Sequence, residues 1–272
     1  MTMRISKVSR GCQLSEVEIS QYPLSGRFLS GRFRHAMSEH EKAVLESLFY
    51  EVAEYDTDHE ILRRGTSCDF STMLVDGFAM RTIYQNDKRY IVGAQVPGDF
   101  IDLHAFALKR LDHNLVTNGP AKVAYVKHTR LREVMETEPH LARMFWFSTL
   151  LDAAIHREWI LKLQQLKAER RVAHLMCELW YRLDLVEMGL PDGFQSPMTQ
   201  VDLADSCGTT AIHMNRALRD LKKQGLVEFR RGRVLCEDRR ALERHSQFDP
   251  TYLYGKGDLY IGRDFENDGD GS

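Results

Sequence analysis

Residues 199–235 read TQVDLADSCGTTAIHMNRALRDLKKQGLVEFRRGRVL, and this stretch decides how the chain is organised. Thr199 followed three residues later by Asp202 is a variant of the capping box, so a helix starts there. Gly208 breaks that helix, Thr209 and Thr210 offer a hydroxyl cap for a second one, and Gly225 ends the second after Gln224. With Met214 at the centre of the buried side, 100° per residue places Ala217, Leu218 and Leu221 beside it. Ile212, Arg216, Arg219 and Lys223 then lie opposite, flanked by Ala211, His213 and Asn215. Leu226–Phe229 and Val234–Leu235 around Arg230-Arg231-Gly232-Arg233 form a hairpin with a basic tip. A short helix, a glycine turn, a cationic helix and a basic hairpin make a winged helix-turn-helix, whose second helix enters the DNA major groove.

Local charge agrees. Between Thr209 and Leu235, Arg216, Arg219, Lys222, Lys223, Arg230, Arg231 and Arg233 face only Asp220 and Glu228, a balance that suits a phosphate backbone. The whole chain of 272 residues carries a net charge of −2, so affinity for DNA has to come from this patch. A chain of this length suits two domains.

Outward from the motif, residues 167–188 carry Val172, Leu175, Met176, Leu179, Leu183 and Leu185 at helical spacing and read as its scaffold. Before them, 139–166 has no internal breaker and predicts one long helix. Met144, Phe147, Leu151, Ile155, Trp159 and Leu163 follow at steps of three or four, and Phe145-Trp146-Phe147 widens the apolar surface. Such a helix buries two sides, one on its own roll and one on the same helix of a twin subunit, which predicts a homodimer.

Residues 55–127 change to short strands: Glu60–Leu62, Thr72–Val75, Phe78–Met80, Tyr90–Val92 and Val123–Val126. Turns at Gly65, Asp76-Gly77, Asn86-Asp87 and Pro97-Gly98-Asp99 separate them, as in an antiparallel jelly roll. Residues 38–54 read as a helix capped by Ser38, and 1–34 as a loosely ordered basic arm. Residues 238–247 suit a final helix, and 251–272 an acidic tail with five carboxylates against Lys256 and Arg263. The expected fold is α+β: an arm (1–34), an N-terminal antiparallel β-roll of jelly-roll, cupin-like form (35–138), a dimerisation helix (139–166), a C-terminal winged helix-turn-helix (167–250) and the tail.

Several classes are excluded. There is no apolar run of the ~20 residues a membrane span needs, and MTMRISKVSRGCQ lacks the apolar core of a signal peptide. A cytoplasmic protein with no membrane partner is expected. Its five cysteines show no C-x-x-C, which argues against a disulfide framework, a zinc site or an iron–sulfur cluster. No nucleotide-loop, zincin or nucleophile-elbow motif suggests an enzyme, and neither metal nor cofactor is expected.

In this order, a roll, a long helix and a winged helix-turn-helix resemble the Crp/Fnr family of bacterial transcription regulators, over about residues 38–253. The most specific part is Thr199-Gln200, Leu203-Ala204-Asp205, Gly208, Thr210, His213, Asn215-Arg216, Leu218, Leu221 and Gly225-Leu226. Glu169–Leu179 and Pro97-Gly98-Asp99-Phe100 also look like one branch of it. The resemblance implies a homodimer on double-stranded DNA at a pseudo-palindromic operator, with RNA polymerase as a further partner. It also implies that Arg216 donates to guanine, that Ala211 and Ile212 occupy base-reading positions, and that His213 and Asn215 read bases or anchor the helix. Gln200, Thr210, Arg219, Lys223, Arg230, Arg231 and Arg233 would hold phosphates.

The roll departs from the family's cyclic-nucleotide binders. Leu103 stands at the glutamate position, and His113-Asn114 stand where those binders carry an Arg-Ser or Arg-Thr pair for the cyclic phosphate. Cyclic AMP is therefore not expected, because its buried charge would lack a cation. Leu103, His104, Arg110, His113 and Asn114 mark the candidate effector pocket. The alternative is a regulator sensing a small ligand, a haem-bound gas or thiol redox state, the last through Cys207 in the helix-turn-helix turn.

Overall fold

The computed structural model describes residues 16–255. Helices α1 (Glu39–Ser47), α2 (Ala105–Leu108), α3 (His128–Thr137), α4 (Pro139–Gln165), α5 (Ala168–Leu185), α6 (Gln200–Ser206), α7 (Ala211–Lys223) and α8 (Arg239–Ser246) alternate with ten strands. These are β1 (Phe49–Tyr55), β2 (Glu60–Leu62), β3 (Phe70–Asp76), β4 (Ala79–Gln85), β5 (Lys88–Gln95), β6 (Asn114–Thr117), β7 (Ala121–Lys127), β8 (Gly193–Gln195), β9 (Glu228–Arg230) and β10 (Arg233–Leu235).

The roll is two antiparallel sheets, ordered β1-β7-β3 and β2-β6-β4-β5. Leu62, Leu74, Ala79, Leu115, Val123 and Tyr125 from both sheets fill the space between them, as the alternation of inward apolar residues requires. The fold class is the expected one. Two local expectations fail. The helix expected over 38–54 stops at Ser47, where Phe49–Tyr55 pairs with β7 as an edge strand. Aromatic and β-branched residues in Phe49, Tyr50, Val52 and Tyr55 favour that pairing over a helix. Between the scaffold expected to end at 188 and the cap at Thr199, where no strand is expected, Gly193–Gln195 adds a third strand to the wing, beside β10.

The N-terminal segment is also corrected. Tyr22, Phe28, Leu29, Phe33 and Met37 are buried, with Phe28 set edge-on to Phe100 and Phe145, and Glu18 bridges Arg34 and Lys42. An arm extending to residue 34 is not what these aromatic side chains permit, since each removes a large apolar area from water. At the other end Leu253 is fully buried and its carbonyl accepts from Arg32 Nε at 2.8 Å, so the tail expected from 251 does not begin there. The remainder of both expectations, and Cys12, lies outside the described residues.

One apolar core runs from the roll into the C-terminal half. It joins Phe78, Met80, Ile91 and Val96 of the roll to Leu151, Ile155 and Trp159 of α4, to α5, and on to Leu203, Met214 and Leu221 of the helix-turn-helix. Charged side chains cross the same boundary. Arg182 of α5 donates to Asp99 Oδ2 at 2.6 Å and to the Ala94 carbonyl at 2.9 Å. Arg89 of β5 donates to Asp202 at 2.5 Å and to Asp205 at 2.8 Å, both in α6.

Candidate nucleic-acid interface

Thr199 caps α6: its Oγ1 accepts from Asp202 N–H, while the Asp202 carboxylate accepts from Thr199 N–H at 2.7 Å. Gly208 turns the chain at φ +59°, where a Cβ would meet Leu163 Cδ2 at 3.2 Å, so both the conformation and the packing favour glycine. Arg171 of α5 holds this turn by donating to the Cys207 carbonyl at 2.6 Å. Thr210 then caps α7, accepting from His213 N–H at 3.3 Å. Gln224 at the far end donates to Glu169 at 2.7 Å, which ties the helix back to α5.

Met214, Ala217, Leu218 and Leu221 are buried, and Ala211, Ile212, His213, Asn215, Arg216, Arg219 and Lys223 are exposed. The face derived from 100° per residue is therefore the face that points inward. Among the described residues, Arg216, Arg219, Lys223, Arg230 and Arg231 form no ion pair. Lys222 does, with Glu228 at 2.7 Å, and Arg233 donates twice to Asp192 at 2.9 and 3.0 Å. Arg233 is thus tethered, unlike its wing neighbours. Arg231 at φ +49° and Gly232 at φ +72° make the tight turn that presents Arg230 and Arg231. His213 Nδ1 lies 3.0 Å from Thr210 Oγ1, and Asn215 Nδ2 donates to Gln200 Oε1 at 3.1 Å.

The long helix presents a different stripe from the one its sequence suggests. Met144, Leu151, Ile155 and Trp159 are buried in the protein's own core, Phe147 is half-buried there, and only Leu163 of the expected set is exposed. The exposed apolar side chains are Trp146, Leu150, Ile160 and Leu161, with Leu163 on the flank. Periodicity could not separate the two stripes because both are apolar, and the bulkier one packs at home. Trp146 also borders an apolar groove of 540 Å³ between α2 and α4, shared with Leu103, His104, Phe106 and Phe145.

The candidate effector residues are only partly brought together. Leu103 is buried, and the His104 and His113 rings sit 5.4 Å apart. Burial, reinforced by the Arg81 cation, pushes His104 down to about 4. Asn114 Oδ1 accepts from the Arg64 N–H at 2.8 Å. Arg110, whose backbone pairs with Ser67 in an isolated β-bridge, is exposed and supplies no charge to the interior. The interior cation is Arg81 of β4, which sequence reasoning missed. Its Nη1 meets both oxygens of Asp152 of α4 at 2.6–2.7 Å, and its Nε and Nη2 donate to the Ile101 carbonyl. The one available signal was an aspartate inside an otherwise apolar run of α4.

Redox sensing at Cys207 is not supported. The thiol is fully buried, and burial pushes it up to about 11, which removes the thiolate that oxidation requires. Among the described residues no cluster of three His, Cys, Asp or Glu can hold a metal, and no helix is long and apolar enough to cross a membrane.

A roll followed by a long helix, a capped helix-turn-helix and an unpaired cationic face defines a DNA-binding transcription regulator rather than an enzyme. A Crp-like helix-turn-helix domain model matches residues 170–245. The transcriptional activator protein FnrL of Cereibacter sphaeroides is 29% identical over 211 residues, covering 75% of this chain and 83% of that protein. Among solved structures, FixK2 from Bradyrhizobium japonicum superposes with a TM-score of 0.65 at 22% identity, over 71% of this chain and 96% of FixK2. The c-di-GMP-responsive regulator CLP of Xanthomonas campestris gives 0.60 at 16%, over 74% and 100%. The chain thus carries a Crp-like helix-turn-helix domain and resembles, over most of its length, regulators of the Crp/Fnr type.

Proposed function

We propose that two copies of the chain join along α4 and set the two α7 helices into successive major grooves of a pseudo-palindromic operator, with half-site centres ~34 Å apart. The observation that carries this reading is the outward face of α7, where Arg216, Arg219 and Lys223 stand unpaired over a buried Met214 and Leu221. Arg216 supplies the bidentate guanine contact, and Gln200, Thr210, Arg219, Lys223, Arg230 and Arg231 hold phosphates.

Joining along α4 is supported by the spacing of its exposed seam. Trp146, Leu150, Arg157 and Ile160, all exposed, with half-buried Ala153 between them, recur at alternating steps of four and three, the repeat of a two-stranded coiled coil. The groove beside Trp146 continues that seam, and the partner helix covers both. The roll works without cyclic AMP, because Arg81 is already engaged by Asp152 and the Ile101 carbonyl. The regulator acts in the cytoplasm and activates through contact with RNA polymerase.

Operator selection followed by gel-shift titration tests the reading. Arg216→Ala should lose roughly tenfold or more in preference for the selected site, since a bidentate arginine–guanine pair is worth ~1–3 kcal/mol. Retention of the parent's selectivity would overturn the groove assignment. Sedimentation of Ile160→Asp should show a monomer, and an unchanged dimer would refute the seam.

A further inference from the structure

We infer that Ile212 reads the 5-methyl group of a thymine in the half-site. The inference rests on the placement of α7 in the major groove.

Ile212 is 67% exposed, more than any other large apolar side chain among the described residues. Four residues before Arg216, it projects from the same side of the helix one turn away. The other side chains of the first two turns leave this side to the pair. Ala211 has no reach, His213 is drawn back to the Thr210 hydroxyl at 3.0 Å, and Asn215 is held by Gln200 at 3.1 Å. One cation and one branched aliphatic group therefore remain to meet base edges.

Chemistry fixes what the aliphatic group can recognise. The major-groove edges carry hydrogen-bond donors and acceptors on all four bases and a single apolar feature, the thymine methyl. An isoleucine over guanine or over the cytosine amino group strips water from polar atoms and returns no hydrogen bond. Over thymine it buries a methyl and itself. Four helical residues advance ~6 Å and a base step ~3.4 Å, which places the thymine about two steps from the guanine contacted by Arg216. An apolar side chain also separates this surface from one built for phosphate, where a cation or a hydroxyl would serve.

Deoxyuridine differs from thymidine only by that methyl, so it is the probe. Each thymine of the selected operator is replaced in turn by deoxyuridine, and the dissociation constant is measured by fluorescence anisotropy at fixed salt. For the parent, one position per half-site should weaken binding by about fourfold, the worth of one buried methyl. Ile212→Ala should bind the thymine and deoxyuridine operators equally, and Ile212→Glu should move the preference at that position towards cytosine, whose amino group a carboxylate accepts. Both variants alter an exposed helical position and leave the core of α7 untouched.

A parent indifferent to deoxyuridine everywhere overturns the proposal, as does Ile212→Ala that keeps the fourfold difference. Failure to select any operator overturns the groove placement itself and the proposal with it, whereas a selected operator that tolerates deoxyuridine sinks the thymine contact alone.

Discussion

Two charged regions of this molecule are built on opposite plans. At the junction between α4, α5 and the roll, charges are buried around one carboxylate, Glu178. Glu178 accepts from Trp159 Nε1 at 3.0–3.1 Å and from the Tyr252 hydroxyl at 2.8 Å, with Arg182 at 3.5 Å. Lys162 lies 4.0 Å from the centre of the Trp159 ring. Burial opposes ionisation of Glu178, but Lys162 and Arg182 beside it hold its carboxyl below the usual range. On α7 and the wing, Arg216, Arg219, Lys223, Arg230 and Arg231 are exposed and, among the described residues, form no ion pair. The buried set determines how the parts are held, and the exposed set is left for an anion from outside. Count and sign of charge do not separate these jobs; the presence of an internal partner does.

The largest expected effect comes from breaking the buried set. Glu178→Ala leaves Lys162 and Arg182 without their shared carboxylate in a dry interior and should cost ~3–5 kcal/mol. That lowers the melting temperature by roughly 10 °C in a chain of this size, measured by calorimetry. An unaltered melting curve would show that the junction is solvated.

Acid should loosen the same junction. Burial, with Lys162 beside it, pushes His174 down to about 4, and the Glu158 carboxylate comes no nearer than 3.3 Å. Above pH 6.5 the ring is neutral in both folded and unfolded chains. Between 6.5 and 4 only the unfolded chain takes the proton, so stability falls as pH falls, by up to ~3 kcal/mol for this histidine. His104 is pushed equally low and contributes a slope of the same sign. In urea titrations at pH 7 and pH 4.5, His174→Gln should remove about half of the loss that the two histidines share.

Smaller still is the clamp between β5 and α6. Arg89 is partly solvated, so Arg89→Ala should destabilise by only ~1–2 kcal/mol. Hydrogen exchange should quicken in α6, while the preferred operator sequence stays as in the parent. A changed sequence preference would mean that the clamp also orients α7. Smallest in free energy is the wing. Arg230→Ala should leave the melting temperature within error and reduce the slope of log affinity against log salt by about one, the release of one counterion. An unchanged slope would remove Arg230 from the phosphate contacts.

Sequence and structure agree where the signal is local. The caps at Thr199 and Thr210, the glycine turn at 208 and the inward row Met214, Ala217, Leu218 and Leu221 all follow from spacing within one helix or its ends. What escaped notice depends on distant partners. Phe49–Tyr55 becomes a strand because β7 lies beside it. Arg81 finds Asp152 some seventy positions later, and Arg89 finds Asp202 and Asp205 more than a hundred later. The stripe of α4 was ambiguous for the same reason, since the roll decides which of two apolar sides is covered. In the candidate interface, the exposure of Ile212 and Arg216 was legible, but the tethering of Arg233 to Asp192 was not, because it crosses from β10 to a turn before β8.

The uninterrupted apolar core from Phe78 through Trp159 to Leu221 has a mechanical corollary. With no soft joint among the described residues between the roll and the helix-turn-helix, a protease should find no ready nick at Leu166-Lys167 from which to release an intact fragment. A push on one sheet of the roll travels onward as the tilt of a lever and reorients α7 with the whole body.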